Sequence, residues 1–269
     1  MIAMLGQCVE DVVREAGRPP ERRLGGAALF GAQALERGGG AAVIGTRGGT
    51  PELRQPLIDV GLPVVVGPSS STFRSLLELF PDGSRRHEVD SLGDPFTPQD
   101  VETWLSPALE GAQAVVCGAQ WRDDFAPPTL AALRAGGRRV YLDAQGPARK
   151  GLGTVIPEGP LDPGVAANVD VLKASDEEAD ALFGEWSTGA TERSGIPIVL
   201  VTHGIQGATV LMGGHATHVV ADPVHIADAV GAGDAFLALF ALAELRGRDP
   251  VEAAGDACAG VAAYLRARL

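Results

Sequence analysis

The sequence predicts an α/β fold: a mostly parallel sheet flanked by helices, with a small β lid. Three observations predict it. Short apolar runs alternate with helical segments along the chain, several helical segments open at recognisable caps, and the stretch 73–90 breaks the alternation as a hairpin would. Residues 1–5 are apolar and read as a first buried strand. Residues 27–37 form an Ala-rich helix behind a pair of glycines, and 41–46 (Ala-Ala-Val-Ile-Gly-Thr) form the next strand. Pro51 opens a short helix, and 62–66 is again an apolar strand. The hairpin at 73–90 turns at Pro81-Asp82-Gly83. An inserted hairpin adds to the main sheet, and together the segments at about 10–24 and 66–92 are expected to form the lid.

Further along, Thr97-Pro98 supplies an N-cap and a proline at the first position of a helix over 98–105. Strands follow at 113–117, 138–143, 168–172, 197–202 and 207–213, with helices at 128–135 and 175–184. Residues 151–164, rich in Pro and Gly, read as a long loop. From Ala235 to Leu245 the chain is apolar nearly all round and forms a buried helix. Asp249-Pro250 opens the last one. No repeat, low-complexity tract or linker divides the chain, so 1–269 is expected to be a single domain.

Composition narrows the function. A chain of 269 residues with 45% hydrophobic and 21% charged residues is an ordinary globular balance. Net charge is −12, which repels nucleic acid, and no basic patch reverses it. No run approaches the roughly 18 apolar residues of a membrane span. The first residues lack the basic start and long apolar run of a signal peptide. Cys8, Cys117 and Cys258 are far apart and lack metal-ligand spacing, which predicts a reducing, cytoplasmic setting. Cys117 ends a buried strand and is expected to be inert.

The most informative stretch is Asp228-Ala229-Val230-Gly231-Ala232-Gly233-Asp234, directly before the buried helix. A carboxylate there is costly unless its charge is stabilised, and a helix N-terminus does so through free N–H groups and its dipole. Gly231, Ala232 and Gly233 leave room for the backbone to approach a ligand. The same amides can then hold a phosphoryl group while Asp234 takes a proton from an attacking hydroxyl. Taken alone, the segment is equally a tight turn with Asp234 as a helix cap. The chain has no Gly-Lys-Ser/Thr, which excludes a Walker A site.

Asp-x-x-Gly-Ala-Gly-Asp before a buried helix resembles the C-terminal motif of the ribokinase-like (PfkB) carbohydrate kinases. Other landmarks fall in that family's order. Gly6 and Asp11 resemble its first-strand glycine and the aspartate that holds substrate hydroxyls, and Gly25-Gly26 its paired glycine at the first main helix. Lys173-Ala174-Ser175-Asp176-Glu177-Glu178 resembles Lys-x-Asn-x-x-Glu, whose Glu organises water and Mg²⁺ near the phosphates. Thr202-His203-Gly204-Ile205-Gln206-Gly207-Ala208 resembles the turn that lines the nucleotide phosphates. The resemblance implies an ATP- and Mg²⁺-dependent sugar or polyol kinase with a ribokinase-like fold. It implies Asp234 as base, the 231–234 amides as anion hole, and Lys173, Glu178, Thr202, Gly204 and Gly207 along the nucleotide. Asp228 is implied near a monovalent cation, and a homodimer through the lid is implied as well.

The sequence departs from the family at two places. Ser175 stands where Asn is usual, and Phe30 where Asn is common. Ser175 with Glu178 is also an ordinary capping box, so a structural reading of Glu178 stays open. A short segment after the last helix leaves nucleotide preference open too. On the acceptor side, Asp143-Ala-Gln145-Gly-Pro-Ala-Arg149 follows an apolar strand, where α/β sheets bind ligands. Asp143, Gln145 and Arg149 together suit several hydroxyls, or Arg149 meets a phosphate, or the segment is a polar turn. Phe30 with this segment resembles a branch that includes myo-inositol kinases; ribose, fructose-type sugars and nucleosides stay open.

Weaker signals point to structure. His215, His218 and His225 lack a carboxylate at ligand spacing. Arg85-Arg86-His87 reads as a solvated face, and Trp104, Trp121 and Trp186 as packing. Two other classes compete with a kinase. A binding or regulatory protein of the same fold is suggested by Ser175 and separated by assay of ADP release. A nicotinamide-dependent oxidoreductase would need a first-strand Gly-x-Gly-x-x-Gly, which is missing.

Overall fold

The computed structural model describes residues 1–268, apart from 81–84, 150–151, 155–157, 185–187 and 225–228. In chain order the first elements are β1 (Ile2–Gln7), β2 (Val9–Glu15), β3 (Glu21–Gly25), α1 (Ala27–Arg37), β4 (Ala42–Arg47), α2 (Pro51–Ile58) and β5 (Val64–Gly67). The hairpin strands β6 (Phe73–Leu79) and β7 (Arg85–Ser91) come next, then α3 (Pro98–Glu102), α4 (Ser106–Leu109) and β8 (Ala114–Gly118). The middle of the chain forms α5 (Pro127–Ala135), β9 (Arg139–Asp143), β10 (Gly153–Thr154), α6 (Pro163–Ala166), β11 (Val171–Ser175) and α7 (Asp176–Phe183). Last come α8 (Ala190–Ser194), β12 (Ile198–Thr202), β13 (Ala208–Met212), β14 (His215–Val219), α9 (Ala232–Leu245) and α10 (Pro250–Arg266).

Among the described residues, nine strands form the main sheet in the order β14-β13-β12-β11-β9-β8-β1-β4-β5. It is parallel from β5 to β12, and β13 reverses direction. Both faces are covered, as a parallel sheet requires. Ile2 and Met4 join α1, α9 and α10 in one core, while Ala3 and Leu5 face the other with α5 and α7. Alternate residues of one strand thus serve two cores. The lid is a second sheet, β10-β7-β6-β2-β3, closed onto the main body through Val9, Phe73, Val89 and Trp121. No helix among the described residues is long and apolar enough to cross a membrane.

Several boundaries differ from expectation for identifiable reasons. The helix expected over 98–105 stops at Glu102 and restarts at Ser106, because Leu105 donates back to the Asp100 carbonyl and Pro107 has no N–H to continue the ladder. The strand expected at 168–172 begins at Val171. Residues before it finish α6, where the Asn168 amide donates to Val165, and Asp170 accepts from the Val140 amide at 2.8 Å. Residues 151–164 are more than a loop: Gly153 and Thr154 pair with β7 as the fifth lid strand. The lid segment starts at Phe73, since Val64–Gly67 is the edge of the main sheet. The expected turn at 81–83 lies outside the described residues.

Arg47, at the end of β4, is buried with its guanidinium 2.9 Å from Asp100 and donating to the Pro68 carbonyl at 2.6 Å. Asp100 also takes the Trp104 indole N–H at 2.6 Å. Removing one partner of a buried pair leaves an uncompensated charge. Asp100→Ala is therefore expected to destabilise by about 3 kcal/mol, read as a lower urea midpoint at unchanged m-value. A midpoint equal to wild type would show that backbone carbonyls alone satisfy Arg47.

Candidate active site

A cleft of about 840 Å³ lies between the lid and the C-terminal ends of the parallel strands. Loops leaving those ends carry its walls, as expected for an α/β sheet. The lid contributes Val9, Asp11, Ser75 and Leu77, and the strand ends contribute Gln120, Gln145, Arg149, Ser175, Glu178, Thr202 and Gly204. The stretch 229–234 runs along it.

Gly231 is the N-cap of α9 in the left-handed region, with φ 82°. A Cβ there would lie 2.2 Å from the Phe30 ring, so the turn and the ring are fitted to each other. Asp234 follows in the first turn, at the cleft wall. Burial pushes its carboxyl up to about 7, Asp143 and Glu178 add to the rise, and Lys173 and Arg149 oppose it. The Ala232 amide is spent on the Ala229 carbonyl at 3.1 Å, which removes it from the expected anion hole. Among the described residues, the Gly233 and Asp234 amides have no such partner. No hydrogen bond is among the causes that shift the Asp234 carboxyl.

On the lid, Asp11 takes the Ser75 hydroxyl on Oδ1 at 2.5 Å. Gly25 is not part of the cleft lining: a Cβ there would lie 1.9 Å from Asp11 Oδ2, so Gly25 leaves room for that carboxylate. Gly26 does line the cleft. Gly207 does not, because it turns against the end of β14, where a Cβ would meet the Val219 carbonyl at 2.0 Å. Lys173 is also outside the lining. It lies buried behind Gly233, bound to Asp143 at 2.9 Å. Asp143 is thereby occupied as the partner of Lys173 and is not offered to substrate hydroxyls.

Arg149 is buried and donates to the Gln120 carbonyl at 3.1 Å, and the Gln145 carboxamide oxygen accepts from it at 2.8 Å. Burial holds the Arg149 guanidinium below its ordinary pKa, against the pull of four neighbouring carboxylates. Glu178 both caps α7, through the Ser175 amide at 2.8 Å, and lines the cleft beside Asp176 and Glu177. The two readings of Glu178 are therefore compatible. A second buried carboxylate, Asp124, is raised to about 6 by burial but accepts from the amides of Gln120 and Trp121, which makes it a brace for that loop.

His87 reaches the cleft, contrary to its reading as a solvated face, since pairing with Leu77 puts it on the inner side of the lid; Arg86 also lines the cleft but stays exposed, as expected. Ser75, Leu77, Gln120 and His87 are among the lining residues that sequence reasoning missed. Alternation along 73–77 could have found Ser75 and Leu77. Nothing local signals Gln120, which only chain folding brings to Arg149. Trp104 and Trp121 pack, and buried Cys117 is raised well above its ordinary pKa by desolvation. No group of three ligating side chains that could hold a metal occurs among the described residues. Asp228, His225 and Trp186 lie outside them.

A family model described as pfkB family carbohydrate kinase matches residues 126–266. The curated protein 1-phosphofructokinase of Rhodobacter capsulatus is 36% identical over 135 residues, covering 46% of this chain and 39% of that one. The match thus spans less than half of that relative. Solved structures align along nearly the whole chain. One, described as a pyrophosphate-dependent kinase in the ribokinase family complexed with a pyrophosphate analog and myo-inositol, gives a TM-score of 0.84 at 22% identity over 99% of this chain and 95% of that one. Arabidopsis thaliana ribokinase complexed with ribose and ATP gives 0.77 at 18% identity, over 98% and 92%. At these identities the likeness establishes the fold, which is ribokinase-like.

Proposed function

The chain belongs to the pfkB family of carbohydrate kinases, and on that premise we propose that it passes the γ-phosphoryl group of ATP to a hydroxyl of a neutral sugar or cyclic polyol. One observation carries this reading: a desolvated carboxylate, Asp234, stands in the cleft wall beside the open amides of Gly233 and Asp234. Asp234 removes the proton of the acceptor hydroxyl as its oxygen attacks the γ-phosphorus. The bond to the bridging oxygen breaks, and ADP leaves. The open amides and the dipole of α9 hold the transferring group's charge.

Acceptor binding falls to Asp11, which Ser75 fixes and which as a carboxylate accepts hydrogen bonds from hydroxyls. Val9, Leu77 and Phe30 offer apolar surface to a carbon skeleton. Arg149 and Gln145 complete that end, and Thr202 and Gly204 lie along the donor. Asp176, Glu177 and Glu178 provide oxygen ligands of the kind Mg²⁺ accepts through water. With no group of three ligating side chains among the described residues, they, Glu178 foremost, would hold an ion whose other ligands are water and the donor's own phosphates. Bound there, Mg²⁺ would neutralise phosphate charge. Closure of the lid would exclude water as a competing acceptor. A homodimer through the lid belongs to the same reading, and sedimentation tests it.

The test is a matrix of acceptors (cyclic polyols, sugars, sugar phosphates, nucleosides) against two donors with Mg²⁺, product being followed by phosphorus NMR. ATP is the first donor. Inorganic pyrophosphate is the second, because a fold relative above is described as pyrophosphate-dependent. Transfer from ATP to a neutral polyol or sugar is the expected result. Transfer from pyrophosphate alone would keep the base and replace the donor. No product from any pair would favour a binding protein of the same fold.

The pH dependence has a fixed sign. The base must be ionised, so kcat/KM should rise with pH through about 7 and fall away below it. A flat profile between pH 5 and 8 would remove Asp234 from the proton transfer, given its carboxyl at about 7.

A further inference from the structure

Behind the anion hole lies an ion pair that neither touches the cleft nor has an evident structural purpose. Asp143 ends β9 and Lys173 sits in β11, and the two are direct partners across the parallel strands. Lys173 Nζ lies 2.9 Å from Asp143 Oδ2 and 3.1 Å from Oδ1, with the residues 5% and 2% exposed. Asp143 Oδ1 also accepts the Gln145 amide at 3.0 Å. The ammonium is packed against the first turn of α9: a Cβ on Gly233 would be 2.9 Å from Nζ.

For stability alone this is a poor arrangement. A helix N-terminus favours anions, so an ammonium there has the wrong sign. A buried ion pair commonly returns no more than its desolvation costs. Its position directly under the base and the open amides gives it a different use.

We propose that Asp143 and Lys173 form a buried positioning device for the first turn of α9, fixing Gly233 and Asp234 in the geometry that phosphoryl transfer needs. The inference rests on the kinase reading above for its kinetic part only. Both residues act through the backbone and the charge of Asp234, without contact with substrate. The groups facing Asp234 are Asp143 from β9, Lys173 from β11, Glu178 from α7, Arg149 from the segment after β9 and Tyr264 from α10. Asp143 and Lys173 push its proton affinity in opposite directions. Removing the lysine alone should therefore shift Asp234, and removing both should largely cancel.

The experiment compares wild type, Lys173→Met and the double variant Lys173→Met/Asp143→Asn; Asp143→Asn alone would strand a buried ammonium. Asp234 is titrated through its carboxyl carbon by NMR, assigned with Asp234→Asn, which needs no substrate. The midpoint should rise by about one unit or more in Lys173→Met and return toward wild type in the double variant. In both, kcat should fall roughly 100-fold, as displacement of a reacting group by an ångström does, while KM for donor and acceptor changes by less than about threefold. Lys173→Arg should not restore kcat, because a planar fork does not fit the space against Gly233.

Midpoints alike in all three proteins, or a double variant with wild-type kcat, would overturn the proposal. If Lys173→Met fails to fold, the kcat of the double variant decides. Midpoints that shift in the variants as expected, with a wild-type protein that transfers no phosphoryl group, would defeat the kinase reading and leave the control of Asp234 by the pair standing.

Discussion

Asp234→Asn is expected to lower kcat by about 10³-fold or more, with acceptor and donor binding retained. The amide keeps the shape and the hydrogen-bonding reach of the carboxylate but cannot take the hydroxyl proton. The same substitution should stabilise the protein at high pH. The Asp234 carboxyl is raised from 3.8 to about 7 on folding. A group raised in this way contributes stability below its unfolded pKa and loses it as the pH climbs through its folded one. Above about pH 7 the native carboxylate is thus a liability, and Asp234→Asn should gain about 1–2 kcal/mol there, the open cleft screening part of the full shift. Near the unfolded pKa the gain should vanish. Thermal melts of the two proteins across that range, alongside steady-state rates, test both halves. Undiminished turnover would remove Asp234 from the chemistry, and a pH-independent stability difference would remove the desolvation that makes it a base.

Gly231→Ala should be nearly as damaging, for a geometric reason. The residue stands at φ 82°, where a side chain costs roughly 1–2 kcal/mol, and the new methyl would be 2.2 Å from the Phe30 ring. Either the ring or the start of α9 must move, and Asp234 with its open amides is one turn further on. Displacement of about 1 Å at a reacting group costs on the order of 100-fold in rate. Adding Phe30→Ala frees the space but not the backbone, so stability should recover partly and kcat much less. A Gly231→Ala protein with wild-type kcat would show that the turn does not hold the base.

Much of this arrangement is legible in the sequence because it depends on neighbours along the chain. Gly231 to Asp234 before an apolar run is a helix start with a carboxylate in its first turn, and it remains one in the structure. The capping box of Ser175 and Glu178, and the Pro-marked starts at Thr97 and Asp249, depend on spacing of three residues and were equally visible. The amide of Ala232 is different. Its capture by Ala229 depends on how the left-handed turn at Gly231 closes, which composition does not reveal.

The sequence by itself determined the alternating α/β order, the lid hairpin and the one acid poised at the head of a buried helix, because each follows from local periodicity, capping and turn chemistry. Only the tertiary structure decided what stands around that acid. Lys173 and Asp143 are thirty residues apart and become partners through strand register. Arg149 finds Gln120, and Asp11 finds Ser75 across lid strands 64 residues apart. Burial, and with it the proton affinity of Asp234, is likewise a property of the packed molecule, since desolvation arises from atoms brought near by folding and not from those adjacent in the chain.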